Sequence, residues 1–135
     1  MLHEVDARYL CDVWDWVRDG LVKIVAKTRD DWRPEDVYTE LRTGAAKLHL
    51  IYVEQEMVGF VVTQIWPGYH SGPRLFVRAL WGEPHALAPV EVELMDAIRD
   101  LARKVGARAV RMNSPRRWDA REGWRLTQYI YETDV

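Results

Sequence analysis

One cysteine, Cys11, stands alone in 135 residues, so no disulfide closes within the chain and a reducing compartment fits. No apolar run approaches the length of a membrane span. The start, Met1-Leu2-His3-Glu4, lacks the basic region and apolar core of a signal peptide, so a cytoplasmic protein is expected. The four histidines, His3, His49, His70 and His85, show no short ligand spacing and have no second cysteine to join, which argues against a metal site. Ser71 and Ser114 lack the Gly-x-Ser-x-Gly setting of a nucleophile elbow, leaving nucleophilic hydrolysis without support. There is no internal repeat, low-complexity tract or linker, and the length suits one domain spanning residues 1–135.

What the chain does have is aromatic surface and a charge asymmetry. It carries seven tryptophans and six tyrosines, side chains suited to interfaces as well as cores. The net charge of −2 hides nine Arg or Lys against three acids between residues 99 and 125, a local +6, with −8 on the remainder. One flank is therefore expected to be basic and the other acidic.

Hydrophobic periodicity sets the order of elements. Leu2 to Val5 reads as a short strand. Asp6 reads as an N-cap ahead of a helix bearing Leu10, Val13, Trp14 and Val17, which Gly20 ends or kinks before a second piece from Leu21 to about Lys27. Pro34, followed by Glu35 and Asp36, opens another helix that Gly44 closes. The period then alternates: Leu48, Leu50 and Tyr52 point one way and His49, Ile51 and Val53 the other, as in a strand covered on both faces. Val58 to Trp66 is the next strand, where Gly59 marks a bulge or a close approach, and Arg74 to Trp81 completes an antiparallel meander. A helix over Val90 to Val105, with Leu94, Ile98, Leu101 and Val105 as its buried stripe and Asp100 paired with Lys104, leads through Gly106 to a strand at Ala107 to Met112. Strand, helix, strand at this spacing is the crossover that makes two strands parallel. Ser114 and Pro115 then start a short helix ending at Gly123, and Trp124 to Tyr131 is a last strand. The fold class is α/β: a mixed sheet, meander plus one parallel crossover, with helices on both faces.

This order of elements is similar to the GNAT N-acetyltransferase fold over essentially the whole chain. Val58-Gly59-Phe60 resembles a "VGF" of the family's third strand, Gly123-Trp124 stands where the family has Gly-Phe, and Asn113 ends the strand after the crossover helix, where an asparagine is common. The resemblance implies a glycine-rich loop before the crossover helix that holds the pyrophosphate of acetyl-CoA through backbone N–H groups and the helix dipole. Here that segment reads Trp81-Gly82-Glu83-Pro84-His85-Ala86-Leu87-Ala88-Pro89. It offers one glycine, two prolines without N–H donors, and no Lys or Arg between Arg78 and Arg99. If acyl-CoA binds, Trp81, Gly82, Ala86 and Asn113 are the residues to hold it, and Glu83 and His85 are the nearby bases for deprotonating an amine. The position of the family's tyrosine is Asp119.

The poor loop makes a non-catalytic GNAT-like domain without cofactor the leading expectation, with an acyl-CoA-dependent N-acyltransferase as the alternative. The chain also resembles small GNAT-like proteins encoded by tailed bacteriophages, which implies a structural or assembly component of a virion contacting other protein subunits. Arg116, Arg117, Trp118, Arg121 and Trp124 are the expected interaction residues. Nucleic acid is a third possibility there, less favoured because the chain is near neutral overall.

Overall fold

The computed structural model describes residues 1–135. Its centre is a five-stranded sheet ordered β1 (Leu2–Val5), β2 (Lys47–Val53), β3 (Glu56–Trp66), β4 (Arg74–Gly82) and β5 (Ala109–Met112). The first three pairings are antiparallel and the β4–β5 pairing is parallel. Helices α1 (Trp14–Thr28) and α2 (Pro34–Thr43) cover one face and α3 (Glu91–Lys104) the other. The alternation along β2 is as expected: Leu48 and Leu50 join the core beneath α1 and α2, and Ile51 joins the core beneath α3.

Asp6 caps a 3-10 turn, Ala7–Asp12, by accepting the N–H of Arg8. The following helix does not stop at Gly20 but runs unbroken to Thr28, where Arg29 turns left-handed (φ 58°). Gly20 has a different purpose. A Cβ there would stand 2.5 Å from Phe60 Cε1 and 2.9 Å from the Trp81 ring, so the missing side chain lets the helix lie directly on the sheet. Gly59 is likewise a close approach, since a Cβ would run into the carbonyl of Trp81 on β4. Pro34 begins α2 and Gly44 (φ 82°) ends it, as expected.

Other expectations are corrected. The buried stripe of α3 is Leu94, Met95, Ile98 and Ala102, while Val105 falls beyond the helix and is exposed. Asp100 bonds to Arg103 rather than Lys104. Residues 114–123 form turns instead of a helix, and residues 124–131 form no strand. The tryptophans of this stretch, Trp118 and Trp124, fix it instead by packing on the α3 core.

His49 is buried with its Nδ1 unpartnered. Burial pushes its pKa below the ordinary 6.5; Lys47 and His3 push the same way and Glu4 opposes them. The unfolded chain therefore binds this proton more readily, so the contribution is intact above about pH 6.5 and is lost as pH falls below it. The thermal midpoint is expected to drop between pH 7 and pH 5, and the drop should shrink in His49→Leu. An equal drop in both proteins would show that other groups cause it.

Candidate functional site

The site begins with one extra residue in β4. The β3–β4 ladder pairs Val62 with Ala79 and then Thr63 with Val77, so Arg78 is skipped. The parallel ladder to β5 ends at the same point, with Val77 opposite Met112. A bulge bends a strand and increases its twist, and here β4 parts from β5 just where the bulge falls. From Arg78 to Gly82 the main chain of β4 has lost its neighbour on that side.

The bulge also aims Arg78 at α2. Its Nε and Nη2 donate to Glu40 Oε2 and Oε1 at 3.3 and 3.2 Å, and the guanidinium lies 4.9 Å from the centre of the Trp32 ring. Both partners are mostly shielded, with 18% and 24% of their side chains exposed. A bidentate pair of this kind fixes orientation more than it adds stability. It lines a cleft of about 540 Å³ between the α1–α2 connection with α2 on one side and the middle of β4 with the end of β5 on the other. Asp30, Asp31, Asp36 and Glu40 line one side, and Phe76, Arg78 and Asn113 the other. Asp30 accepts from Thr28 Oγ1 (2.9 Å) and Trp32 Nε1 (3.1 Å), and Asp36 accepts the Arg33 N–H (2.8 Å). Asp31 has no protein partner. Four carboxylates against one arginine make the cleft a place for a cation.

Beyond β4 the chain turns through the loop before α3. The Glu83 N–H donates to Val58 O (2.8 Å), and its Oε1 accepts from Trp16 Nε1 at 3.4 Å. The Trp16 ring packs edge-on against Phe60 and Trp81, so the indole holding Glu83 is itself held by the core. Ala86 N–H returns to Glu83 O (3.0 Å), and His85, exposed, sits at φ 64°. Leu87 folds over Gly82 so closely that a Cβ would collide with it. The N–H groups of His85 and Leu87 donate to nothing within the chain. Trp81, Gly82, Glu83, His85 and Ala86 thus lie together around one turn, whereas Asn113 faces the acidic cleft. Asp30, Asp31, Asp36, Glu40 and Arg78 escaped the sequence reading. A signal was there: Arg78 is the one charge inside an apolar strand, and Asp36 and Glu40 lie four apart on α2.

The expected interaction residues are largely occupied within the chain. Trp118 and Trp124 lie 5.5 Å apart on the α3 core. Arg121 covers Trp118 at 4.2 Å and bonds Glu91 at the start of α3 (2.7 Å). Arg117 clamps Asp119 through two bonds, which hold that carboxyl below the usual carboxylate range. Only the Arg116 side chain is without a partner. No group of three or more His, Cys, Asp or Glu is placed to hold a metal, and no helix is long and apolar enough to cross a membrane.

No protein-family model matches the sequence, and no curated protein is similar to it in sequence. The structure does find counterparts. A probable acetyltransferase superposes with TM-score 0.70 at 16% identity, over 100% of this chain and 96% of that one. A GNAT family acetyltransferase of Staphylococcus aureus gives 0.68 at 11% identity, over 100% and 98%. The fold is the GNAT acetyltransferase fold. A ribosomal-protein-alanine N-acetyltransferase of Brucella melitensis also shares this GNAT architecture, with TM-score 0.64 at 16% identity over 99% of both chains. Identities this low establish the GNAT fold and not the activity.

Proposed function

We propose that this GNAT-fold chain is an acyl-CoA-dependent N-acyltransferase whose acceptor is a cationic amine. The observation that carries the reading is the parting of β4 from β5 at Arg78, which leaves unpaired main-chain groups beside an acidic cleft. The amide-bearing arm of acyl-CoA fits that open edge as an added strand would. The phosphate end fits less well: the N–H groups of His85 and Leu87 are free, but Pro84 and Pro89 contribute none. Trp81, Gly82 and Ala86 would line the bound group, which supplies the activated acyl carbon. Asp30, Asp31 and Asp36 would attract the ammonium form of the acceptor, and Glu83, outside that cleft in the turn before α3, is the base candidate on the loop side.

A second reading, the non-catalytic virion or assembly component, rests on the Arg121–Glu91 pair lying across the first turn of α3. That pair occupies the positive helix end a phosphate would use. Titration calorimetry with acetyl-CoA separates the two. Binding in the micromolar range is expected, and absence of binding at millimolar ligand would sink the acyltransferase and leave the assembly role.

A further inference from the structure

A slot bounded by β5, α3 and the segment from Gly123 to Thr127 has no part in the site above. It encloses about 320 Å³, and six arginines line it, Arg74, Arg99, Arg103, Arg108, Arg111 and Arg125, with no lysine and no acid beside them. Two of the six are compensated from outside the slot, Arg99 by Asp96 and Arg103 by Asp100, each three residues back on α3. The other four have no carboxylate partner in the chain. The β3–β4 loop holds two of these through neutral oxygens: Arg74 Nη1 donates to Ser71 Oγ (2.7 Å) and Gly72 O (2.6 Å), and Arg108 Nη1 donates to Ser71 O (3.0 Å). Such bonds fix a guanidinium without cancelling its charge and leave most of its five N–H donors for a ligand. The far wall is fitted to the same purpose. Gly123 passes at φ 81° so close to Arg99 that a Cβ would stand 3.2 Å from Nη2, and bare backbone lets the wall close on the guanidinium.

Uncompensated guanidinium groups converging on a concave space select a ligand with several negative charges spaced along it. A phosphodiester strand and an acidic peptide both meet that condition, and the surroundings choose between them. Trp124 forms part of the wall. Just past Thr127 the chain presents Tyr129 and Tyr131, whose rings stack on each other with centroids 6.1 Å apart and which are 70% and 85% exposed. Open aromatic faces beside a basic groove hold bases while the charges track the backbone, whereas an acidic peptide gives the tyrosines nothing to stack on. A duplex fits neither feature, because the slot admits one backbone and a duplex keeps its base faces covered by one another. The arginines that the sequence singled out, Arg116, Arg117 and Arg121, do not belong to this slot. Its free arginines come from β4, β5 and the last segment, and only the fold brings them together.

We propose that this slot binds single-stranded nucleic acid, with Arg74, Arg108, Arg111 and Arg125 on successive phosphates and Tyr129 and Tyr131 stacked on bases. Recognition is independent of sequence, because the phosphate and the face of the base are common to every nucleotide. The site is separate from the acidic cleft and stands whether or not acyl-CoA binds.

Fluorescence anisotropy of the full chain with a labelled single strand of about 20 nucleotides and mixed sequence is the test. A micromolar Kd is expected at about 50 mM salt, and with about four phosphates neutralised the affinity should fall roughly 50-fold between about 50 and 200 mM. Arg111→Gln combined with Arg125→Gln should weaken binding by about tenfold or more and halve the slope of log affinity against log salt. Tyr129→Ala combined with Tyr131→Ala should weaken binding at every salt concentration and leave the slope unchanged. The slope is read on the unaltered chain as well, so it judges the proposal even where a variant does not fold. No binding at about 100 μM protein in low salt, an affinity that salt does not change, or equal or tighter binding of a polyglutamate peptide or of a duplex of the same length would overturn it.

Discussion

Phe60→Ala is expected to lower the unfolding free energy by about 3–5 kcal/mol, the range for emptying a buried aromatic site. Phe60 is completely buried on β3, where α1 crosses the sheet. It meets Trp16 edge-on at 5.8 Å and Trp81 at 5.7 Å, and its ring fills the space above Gly20. Because Gly20 has no side chain to move into the void, and both indoles are held by other contacts, the cavity can collapse only by shifting α1 as a body. The loss is a large part of the 5–15 kcal/mol typical of a domain. Urea denaturation checks it: the midpoint should fall sharply with an unchanged slope. A loss below about 1 kcal/mol would mean that α1 closes the gap freely, and that Gly20 is not the contact that sets its height.

How far the sequence foretold this architecture depends on whether a residue's role is local. Pro34 with Glu35 and Asp36, and Gly44 after them, specify α2 through groups within a few residues, and the structure follows them. The two-sided pattern of β2 was legible because alternation needs no partner to be recognised. Gly20 misleads for the opposite reason. As a local signal a glycine ends helices, but here its role is set by Phe60 and Trp81, residues 40 and 61 positions away. Arg78 is similar: the bulge that creates the cleft exists only in the register between β3 and β4. The stretch from Ser114 to Tyr131 has cap and strand composition, yet a strand exists only where its main chain pairs, and no main-chain bond joins this stretch to the outer edge of β5. The loop before α3 shows in its sequence two prolines without N–H donors and no Lys or Arg. It could not disclose that Glu83 is held by an indole 67 residues earlier.

That contact sets the other large expectation. If the chain transfers acyl groups, Glu83→Gln should reduce the rate by roughly 10²–10⁴-fold, the usual contribution of a positioned general base. The amide keeps the size of the carboxylate and can still accept a bond from Trp16 Nε1, so the turn from Gly82 to Ala86 should survive and acetyl-CoA affinity should change little. The loss must therefore appear in turnover rather than in binding. Trp16→Phe separates positioning from chemistry: the carboxylate remains, but the bond at 3.4 Å that orients it is gone, and an intermediate loss is expected. His85→Gln provides the contrast, since His85 lies on the exposed side of the same turn and makes no side-chain bond. A rate that falls with His85→Gln and not with Glu83→Gln would move the base two residues along the loop. A rate unchanged in both would leave neither group as the base and turn attention to Asp31, the one carboxylate of the acidic cleft without a partner.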